Sequence, residues 1–225
     1  MCGRFTLKTP VEDLAKHFGL ADIPDLPPRY NIAPTQPVAT VLVLTDDRQF
    51  RLMRWGLVPF WAKDLSVGNR MINARAETIA EKPAFKKALK ERRCIIMADG
   101  FYEWALKGKV KQPMYIVGKD GKPFGFAGLW ERWEPPEGEP VESCTIITTT
   151  SNEVIAPFHE RMPVILAPDD YHLWLAPDVH EPDRLLPLLR PCPAENLEAF
   201  PVSLVVNSPS HESPECVEPV VELER

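Results

Sequence analysis

The sequence predicts an α+β domain built on a curved, barrel-like mixed β-sheet with peripheral helices. Apolar and β-branched runs typical of strands recur along most of the chain, whereas helical patterns are short and irregularly spaced. The 25 prolines are roughly twice the usual share of about 5% and favour short elements over long helices. Because helices and strands do not alternate regularly, a doubly wound parallel sheet is less favoured.

The elements can be placed in order along the chain. After strand-like N-terminal residues, residues 9–12 (TPVE) resemble a capping box with proline at the first helical position. Leu14 and Phe18 share one face of this helix, and Gly19 ends it. Strands are predicted at 38–44, 50–55, 94–98, 114–117, 124–129, 144–149, 163–166 and 202–206. Further helices are predicted at 83–92, 169–175 and 194–199.

We expect one domain over residues 1–206, followed by a polar, Pro- and Glu-rich, mobile tail over residues 207–225. Residues 134–142 (EPPEGEPVE) are typical of an acidic surface loop. The sequence contains no internal repeat, no phosphate-binding glycine motif, no apolar run of about 18 residues and no basic-then-apolar N-terminal signal. These observations predict a cytoplasmic protein without a membrane partner.

Cysteine spacing and charge narrow the function further. The five cysteines form no CxxC pair and no Cys/His metal motif, so we expect reduced thiols and neither a metal nor another cofactor. Residues 1–111 carry 19 Lys/Arg and 12 Asp/Glu, a net charge of +7, whereas residues 112–225 carry 7 and 20, a net charge of -13. The first half can therefore supply a basic groove for a polyanion, although an acidic C-terminal half alone would produce the same asymmetry.

Cys2 carries the most distinctive chemistry. Its small side chain predicts removal of Met1, which would leave an amine and a thiol on adjacent carbons, a 1,2-aminothiol. The amine can condense with an aldehyde to a Schiff base, and the thiol can then close a five-membered thiazolidine ring. Taken alone, Cys2 is equally explained as a buried, unreactive cysteine.

Four further motifs follow the opening residues 1–5 (MCGRF): 55–63 (WGLVPFWAK), 73–78 (NARAET), 94–104 (CIIMADGFYEW) and 159–163 (HERMP). In order and spacing this set closely resembles the SRAP family, the SOS-response-associated peptidases, also described as abasic-site processing proteins. The resemblance runs from residue 2 to about residue 206. It implies that the N-terminal cysteine bonds covalently to the aldehyde of an abasic site in single-stranded DNA and shields the strand from cleavage.

The resemblance implies a catalytic role for each of four residues. Cys2 would be the covalent residue, and Glu103 the acid/base group that opens the deoxyribose ring. Because Glu103 lies between two aromatic residues, we expect its pKa to be raised. His159 would assist ring opening or the Schiff-base steps, and Asn73 would hydrogen-bond the N-terminal amine. Each of these residues taken singly also has an ordinary structural explanation.

The same motifs supply arginines expected to bind the phosphates on either side of the lesion: Arg4, Arg75 and Arg161. Trp61 is expected to stack on a base or wedge beside the lesion, whereas Trp55 is expected in the core. Residues 31–35 (NIAPT), which include Pro34, resemble another family loop that lines the DNA channel.

These roles predict an abasic-site processing enzyme that forms a covalent DNA adduct through a Schiff base. Autopeptidase and lyase-type activity are further options for this enzyme. Two alternatives stay open: a cysteine peptidase with Cys2 as its N-terminal nucleophile, including self-removal of Met1, and a non-covalent single-strand binder. The expected partner is single-stranded DNA that contains abasic sites. We expect a monomer, nucleoid-associated when bound to DNA, and by family analogy contacts with replication-fork proteins.

Overall fold

Two β-sheets form the framework of the computed structural model, which describes residues 2–108 and 110–221. In chain order, the strands of these residues are β1 (Phe5–Leu7), β2 (Arg29–Ile32), β3 (Pro37–Val43), β4 (Arg48–Trp55), β5 (Asn73–Arg75), β6 (Arg93–Ala98), β7 (Gly100–Lys107), β8 (Val110–Gly118), β9 (Phe124–Trp133), β10 (Val141–Thr150), β11 (Arg161–Pro163), β12 (Ile165–Leu166) and β13 (Leu197–Pro201). The α-helices are α1 (Val11–Phe18), α2 (Lys86–Glu91), α3 (Tyr171–Leu175) and α4 (Pro182–Leu185).

Strands of the larger sheet close into a mixed β-barrel. β4, β3, β6 and β9 pair in that order, each antiparallel to the next. β10 then pairs antiparallel with β9 and parallel with β4, which closes the ring. Because closure pairs both edges of these strands, the barrel presents no long free edge at this point. The predicted α+β class with a barrel-like mixed sheet is confirmed.

The second sheet, in the order β13-β8-β7-β1-β2, holds the N-terminal strand. In β1, Phe5 pairs with Phe101 of β7 on one side and with Ile32 of β2 on the other. The Phe5 ring packs edge-on against Trp55 and Phe126 of the barrel, with ring centroids 5.1 and 5.7 Å apart. Such aromatic pairs contribute about 0.5–1.5 kcal/mol each beyond their burial. One N-terminal side chain therefore joins the two sheets.

Helix α1 has the predicted apolar face and C-terminal end, but not the predicted N-terminal cap. Leu14 and Phe18 are buried, and Gly19 ends the helix in a left-handed conformation with φ of 63°. Thr9 does not cap the helix, since its N–H and Oγ1 donate to the Asp99 carboxylate at 2.7 and 2.9 Å. Pro10 occupies the cap position instead. A buried carboxylate needs several donors, and this need outweighs the local capping preference.

Six predicted strands are confirmed as β3, β4, β6, β8, β9 and β10, and the run at 163–166 is divided between β11 and β12. The helices predicted at 83–92 and 169–175 are present in shorter form as α2 and α3. The helix predicted at 194–199 and the strand predicted at 202–206 are wrong. Residues 197–201 instead pair with β8 as β13, and residues 204–207 form a 3₁₀ helix, because the tertiary pairing overrides local preference.

The expectation of a mobile tail over residues 207–225 is wrong for residues 207–221. Cys216 is fully buried, Glu212 forms an ion pair with Arg29, and Pro219 forms a β-bridge with Val202. The polar composition of this segment reflects bonds to main-chain groups rather than disorder. Residues 222–225 lie outside the described residues, as does Met1. Within the described ranges no helix is long and apolar enough to cross a membrane.

Gly100→Ala is expected to destabilise the protein. A Cβ at this position would lie 2.2 Å from Oη of Tyr115, a hydroxyl held at 2.8 Å by Oγ1 of the buried Thr6. We expect this overpacking to lower the free energy of unfolding by about 1–3 kcal/mol, measured by urea denaturation. Gly118→Ala is the control, because its Cβ would first meet a carboxylate oxygen of Asp120 at 3.1 Å, the end of a flexible side chain. Equal losses in the two variants would contradict this explanation.

Candidate functional site

Residues 2–4, which precede β1, form a short N-terminal arm that is held from two sides. The side chain of Cys2 is fully buried. Asn73, the first residue of β5, donates from Nδ2 to the carbonyl oxygen of Cys2 at 2.8 Å. On β7, the N–H of Tyr102 donates to the carbonyl oxygen of Arg4 at 3.0 Å. The arm is thus fixed by a side-chain amide on one strand and by the main chain of another.

Asn73 reaches the arm because β5 pairs parallel with β10, where Asn73 lies opposite Ile146. Its Oδ1 is buried and, within residues 2–108 and 110–221, has no hydrogen-bond partner. A buried amide oxygen without a donor is uncommon in folded proteins. The amide that binds Cys2 therefore has an acceptor available for a further donor near this residue.

Glu103 of β7 is only 4% exposed. Burial raises the pKa of its carboxyl, and the nearby imidazole of His159 opposes that rise. Burial also raises the pKa of the Cys2 thiol, and the charge of Glu103 raises it further. Glu103 therefore lies within electrostatic range of both Cys2 and His159. The raised pKa expected for Glu103 from its aromatic neighbours is confirmed, with burial by the whole fold as its main cause.

His159 stands at the end of a turn that precedes β11. The Oδ1 of Asn152 accepts the N–H groups of Val154 and Ile155, both at 3.1 Å, which shapes this turn. The Nδ1 of His159 accepts the N–H of Arg161 at 2.9 Å. In a neutral imidazole an accepting Nδ1 leaves the ring proton on Nε2, so this nitrogen is a donor.

Arg75, at the end of β5, and Arg161, at the start of β11, lie on strands that pair with opposite edges of β10, and both act on Glu77. Arg161 forms a bidentate ion pair with Glu77 at 2.8 and 2.9 Å and donates to the carbonyl oxygen of Thr148 at 2.7 Å. Hydrogen bonding to Arg161, together with the charges of Arg161 and Arg75, lowers the pKa of the Glu77 carboxyl. Arg75 is exposed. Glu77 therefore binds Arg161 directly and lies within electrostatic range of Arg75.

Arg4 is in a different environment from the other two arginines. Its Nη1 donates to Oδ1 of Asn31 at 2.6 Å and to the carbonyl oxygen of Val206 at 2.8 Å. Its guanidinium lies 5.8 Å from the centre of the Trp104 ring. Partial burial lowers its pKa. One nitrogen of this predicted phosphate ligand is thus committed to protein acceptors.

The two residues predicted to contact bases, Trp61 and Pro34, lie on separate loops. Trp61 is 54% exposed, whereas Trp55 is fully buried, as expected for a core residue. Pro34 lies in the turn after β2, where Thr35 has a φ of 74°. Such a backbone conformation is uncommon for a β-branched residue. The turn is held by the N–H of Thr35, which donates to the carbonyl oxygen of Trp55 at 2.8 Å.

Sequence reasoning missed several polar residues that shape the site. Asp99 accepts the Oγ1 of Thr6 and the N–H of Lys8, both at 2.6 Å, and so fixes the end of β1. Asn31 is fully buried and bonds Arg4. Both residues lie inside motifs that were recognised as a whole. The signal that could have revealed them is a polar residue beside apolar ones, as in residues 98–100 (ADG) and 30–32 (YNI).

Two cavities of about 640 and 860 Å³ lie near α1 and the turn between β8 and β9. Their walls include none of the nine predicted site residues. Among the described residues, no group of three His, Cys, Asp or Glu side chains is placed to hold a metal ion. The cluster around Cys2 is therefore the candidate site.

Comparison with known proteins identifies the family. The model of the SOS response associated peptidase (SRAP) family matches residues 1–209. The chain belongs to the SRAP family. The abasic site processing protein YoqW of Bacillus subtilis is 48% identical over 224 residues, which cover 97% of this chain and 99% of YoqW. The abasic site processing protein HMCES of Gallus gallus is 37% identical over 202 residues, 78% of this chain and 59% of HMCES.

The fold of this SRAP protein also has solved counterparts. A crystal structure of a protein from Bacteroides thetaiotaomicron superimposes with a TM-score of 0.87 at 28% identity and covers 98% of this chain and all of its own. The family resemblance that the five motifs suggested is confirmed.

In this SRAP protein, Glu103→Gln is expected to raise the Tm at neutral pH. Because burial raises the pKa of Glu103 above its unfolded value, the folded state binds more protons between the two pKa values, and stability falls as pH rises through that window. The uncharged amide removes this loss. Calorimetry should show a gain in Tm over wild type that grows with pH. Glu198→Gln, at an exposed position of β13, is the control, and a gain independent of pH would refute the argument.

Proposed function

We propose that this protein processes abasic sites in single-stranded DNA by bonding to them covalently through Cys2. The observation that carries the proposal is the cluster of Cys2, Glu103 and His159 around the N-terminal arm. Relatives named abasic site processing proteins, at 48% and 37% identity, support it. Removal of Met1 would make the Cys2 amine the reacting group.

Ring opening is the first step. The abasic sugar is a cyclic hemiacetal, and the aldehyde forms when the ring oxygen gains a proton and the C1′ hydroxyl loses one. Burial raises the pKa of Glu103 and so favours its protonated form, which donates from one carboxyl oxygen to the ring oxygen and accepts the hydroxyl proton on the other. His159 donates from Nε2 to the hydroxyl side of the sugar and holds it beside Glu103.

Capture then proceeds in two bond-forming steps. The Cys2 amine attacks C1′, and Glu103 protonates the departing hydroxyl so that one water leaves and an iminium forms. The Cys2 sulfur adds to C1′ and passes its proton to the Glu103 carboxylate, which yields a neutral thiazolidine. Because burial raises the pKa of the thiol, the amine reacts first. Asn73 would hold that amine through its Oδ1 while Nδ2 binds the Cys2 carbonyl oxygen.

The strand itself would be held by charge and by stacking. Arg75 and Arg161 bind phosphates, with phosphate competing against Glu77 for Arg161, and Arg4 contributes Nη2. Trp61 and the loop that contains Pro34 contact bases beside the lesion. The thiazolidine has no imine, so β-elimination cannot start from it and the strand stays intact. We extend the proposal to a monomer that acts near replication forks.

The family description, SOS response associated peptidase, favours peptide hydrolysis by Cys2 as a second candidate. A cysteine peptidase needs a thiolate, which requires a lowered thiol pKa. Burial raises the pKa of the Cys2 thiol instead. Arg75 and Arg161 also have a clear use with phosphates and none in cutting a peptide bond. These two observations favour the DNA reaction.

Intact mass spectrometry tests the proposal directly. After incubation with a single-stranded oligonucleotide that bears one uracil-derived abasic site, protein lacking Met1 should gain the oligonucleotide mass less one water. Cys2→Ala should keep no mass gain after denaturation, because without the thiol that closes the ring its amine forms only an imine that water hydrolyses. An oligonucleotide with a tetrahydrofuran in place of the abasic sugar is the control, since it has no aldehyde. Processed protein that binds the strand but stays unmodified would leave the non-covalent binder as the function.

The pH dependence of the crosslinking rate tests the role of Glu103. The protonated carboxyl is the active form, so the rate should fall as pH rises above the raised pKa of Glu103, and it should fall at low pH as the amine becomes protonated. Glu103→Gln should slow the reaction by about 100-fold or more and abolish the alkaline fall. Rapid-quench gels from pH 5 to 9 would measure both effects. A variant that keeps the wild-type profile would exclude Glu103 as the acid.

A further inference from the structure

Residues 204–221, here called the C-terminal clasp, form hydrogen bonds to β2 and β7, the two strands on either side of β1. The family match ends at residue 209, so most of the clasp lies beyond it. Val220 donates its N–H to the carbonyl oxygen of Pro201 at 3.0 Å, and Val206 and Cys216 are fully buried. The clasp is therefore fixed at three points along its length.

Glu212 attaches the clasp to β2. Its Oε1 accepts the N–H groups of Tyr30 and of Asn31, the latter at 2.8 Å. Its Oε2 accepts Nε of Arg29 at 3.0 Å. A single carboxylate thus binds three consecutive residues of one strand. Charge-assisted bonds of this kind are about twice as strong as neutral ones.

Asn31 continues the connection from the clasp to the arm. Its Nδ2 donates to the carbonyl oxygens of Ser208 and His211 at 2.9 and 2.7 Å. Its Oδ1 accepts Nη1 of Arg4 at 2.6 Å. Since Asn31 is fully buried and bonds partners on both sides, its amide cannot turn without leaving polar groups unpaired.

Arg4 and Tyr102 are the points at which the clasp reaches the reacting groups. Arg4 lies two residues along the chain from Cys2. Its Nη1 also donates to the carbonyl oxygen of Val206 in the clasp at 2.8 Å. The hydroxyl of Tyr102, which precedes Glu103, donates to the carbonyl oxygens of Tyr30 and Cys216 at 2.7 and 3.3 Å. The clasp thus restrains the neighbours of both the nucleophile and the acid.

We propose that the C-terminal clasp positions the Cys2 amine for covalent capture, with Asn31 and Glu212 as positioning residues that act through Arg4. The inference rests on the proposed function. Chain termini ordinarily fray, whereas attack on an aldehyde needs the amine held at contact distance and in line with the carbon. Anchoring uses the two N–H groups of Nη1 and leaves those of Nη2, so it is compatible with phosphate binding by Arg4.

The experiment compares Glu212→Ala, Glu212→Gln and the matched control Glu218→Ala, all in the full-length protein. Glu218 lies in the same segment and is exposed. Three quantities are measured: the crosslinking rate at saturating oligonucleotide, the Kd for a strand of the same sequence without an abasic site, and hydrogen exchange of residues 2–8.

Glu212→Ala should lower the maximal crosslinking rate about 10-fold or more, change the Kd by no more than about twofold, and speed exchange in the arm. Glu212→Gln should recover part of the rate, because its amide oxygen still accepts the N–H groups of Tyr30 and Asn31. Glu218→Ala should match wild type. If Glu212→Ala does not fold, Asn207→Ala replaces it. This change removes the bond at 2.7 Å from Nε1 of Trp104 on β7 to the clasp, and it should likewise lower the maximal rate and speed exchange in the arm.

The outcomes separate the clasp from the proposed function. Wild-type crosslinking rate and wild-type arm exchange in Glu212→Ala would overturn the clasp and leave the proposed function intact. Faster arm exchange with an unchanged maximal rate would also overturn it, since the arm would then be loose without consequence. A wild-type protein that never gains the DNA mass would end the proposed function, and the positioning role with it, whatever the arm exchange shows.

Discussion

Strand β10 is the element on which the rest of the structure depends. One of its edges pairs with β4 and then β5, and the other with β9 and then β11. Pairing with β4 and β9 closes the barrel. Pairing with β5 places Asn73 and Arg75, and pairing with β11 places Arg161. Because ladder hydrogen bonds set the register residue by residue, a single strand assembles site residues that lie almost 90 positions apart in the sequence.

Burial of the N-terminal arm gives the site its chemistry. Removing Cys2 and Glu103 from water raises the pKa of both groups, which favours the neutral form of each. In water the carboxyl would be ionised at neutral pH and a poor proton donor. The same burial makes the charged form of Glu103 costly to the folded state. Such a conflict between stability and chemistry is typical of active sites.

Local arrangement of charge matters more here than net charge. The protein is acidic overall at -6, yet Arg75 and Arg161 both lie within electrostatic range of Glu77. Glu77 holds Arg161 in one orientation through a bidentate pair. An arginine held in this way loses little conformational freedom when it binds phosphate. Many of the remaining acidic residues belong to the C-terminal half, where Glu212 serves the fold.

The sequence by itself determined the chemical groups, the family and most barrel strands, because an N-terminal aminothiol, motif identity and strand periodicity are local properties of the chain. It could not reveal that Thr9 would bind Asp99 instead of capping α1. Nor could it reveal that residues 197–201 would pair with β8, or that the polar C-terminal segment would bind β2. Only the tertiary structure decided these, since each depends on which distant main-chain donor or acceptor a polar group meets. Composition indicates only that a polar residue favours contact with water. In the folded protein, main-chain and side-chain groups can make the same hydrogen bonds to it.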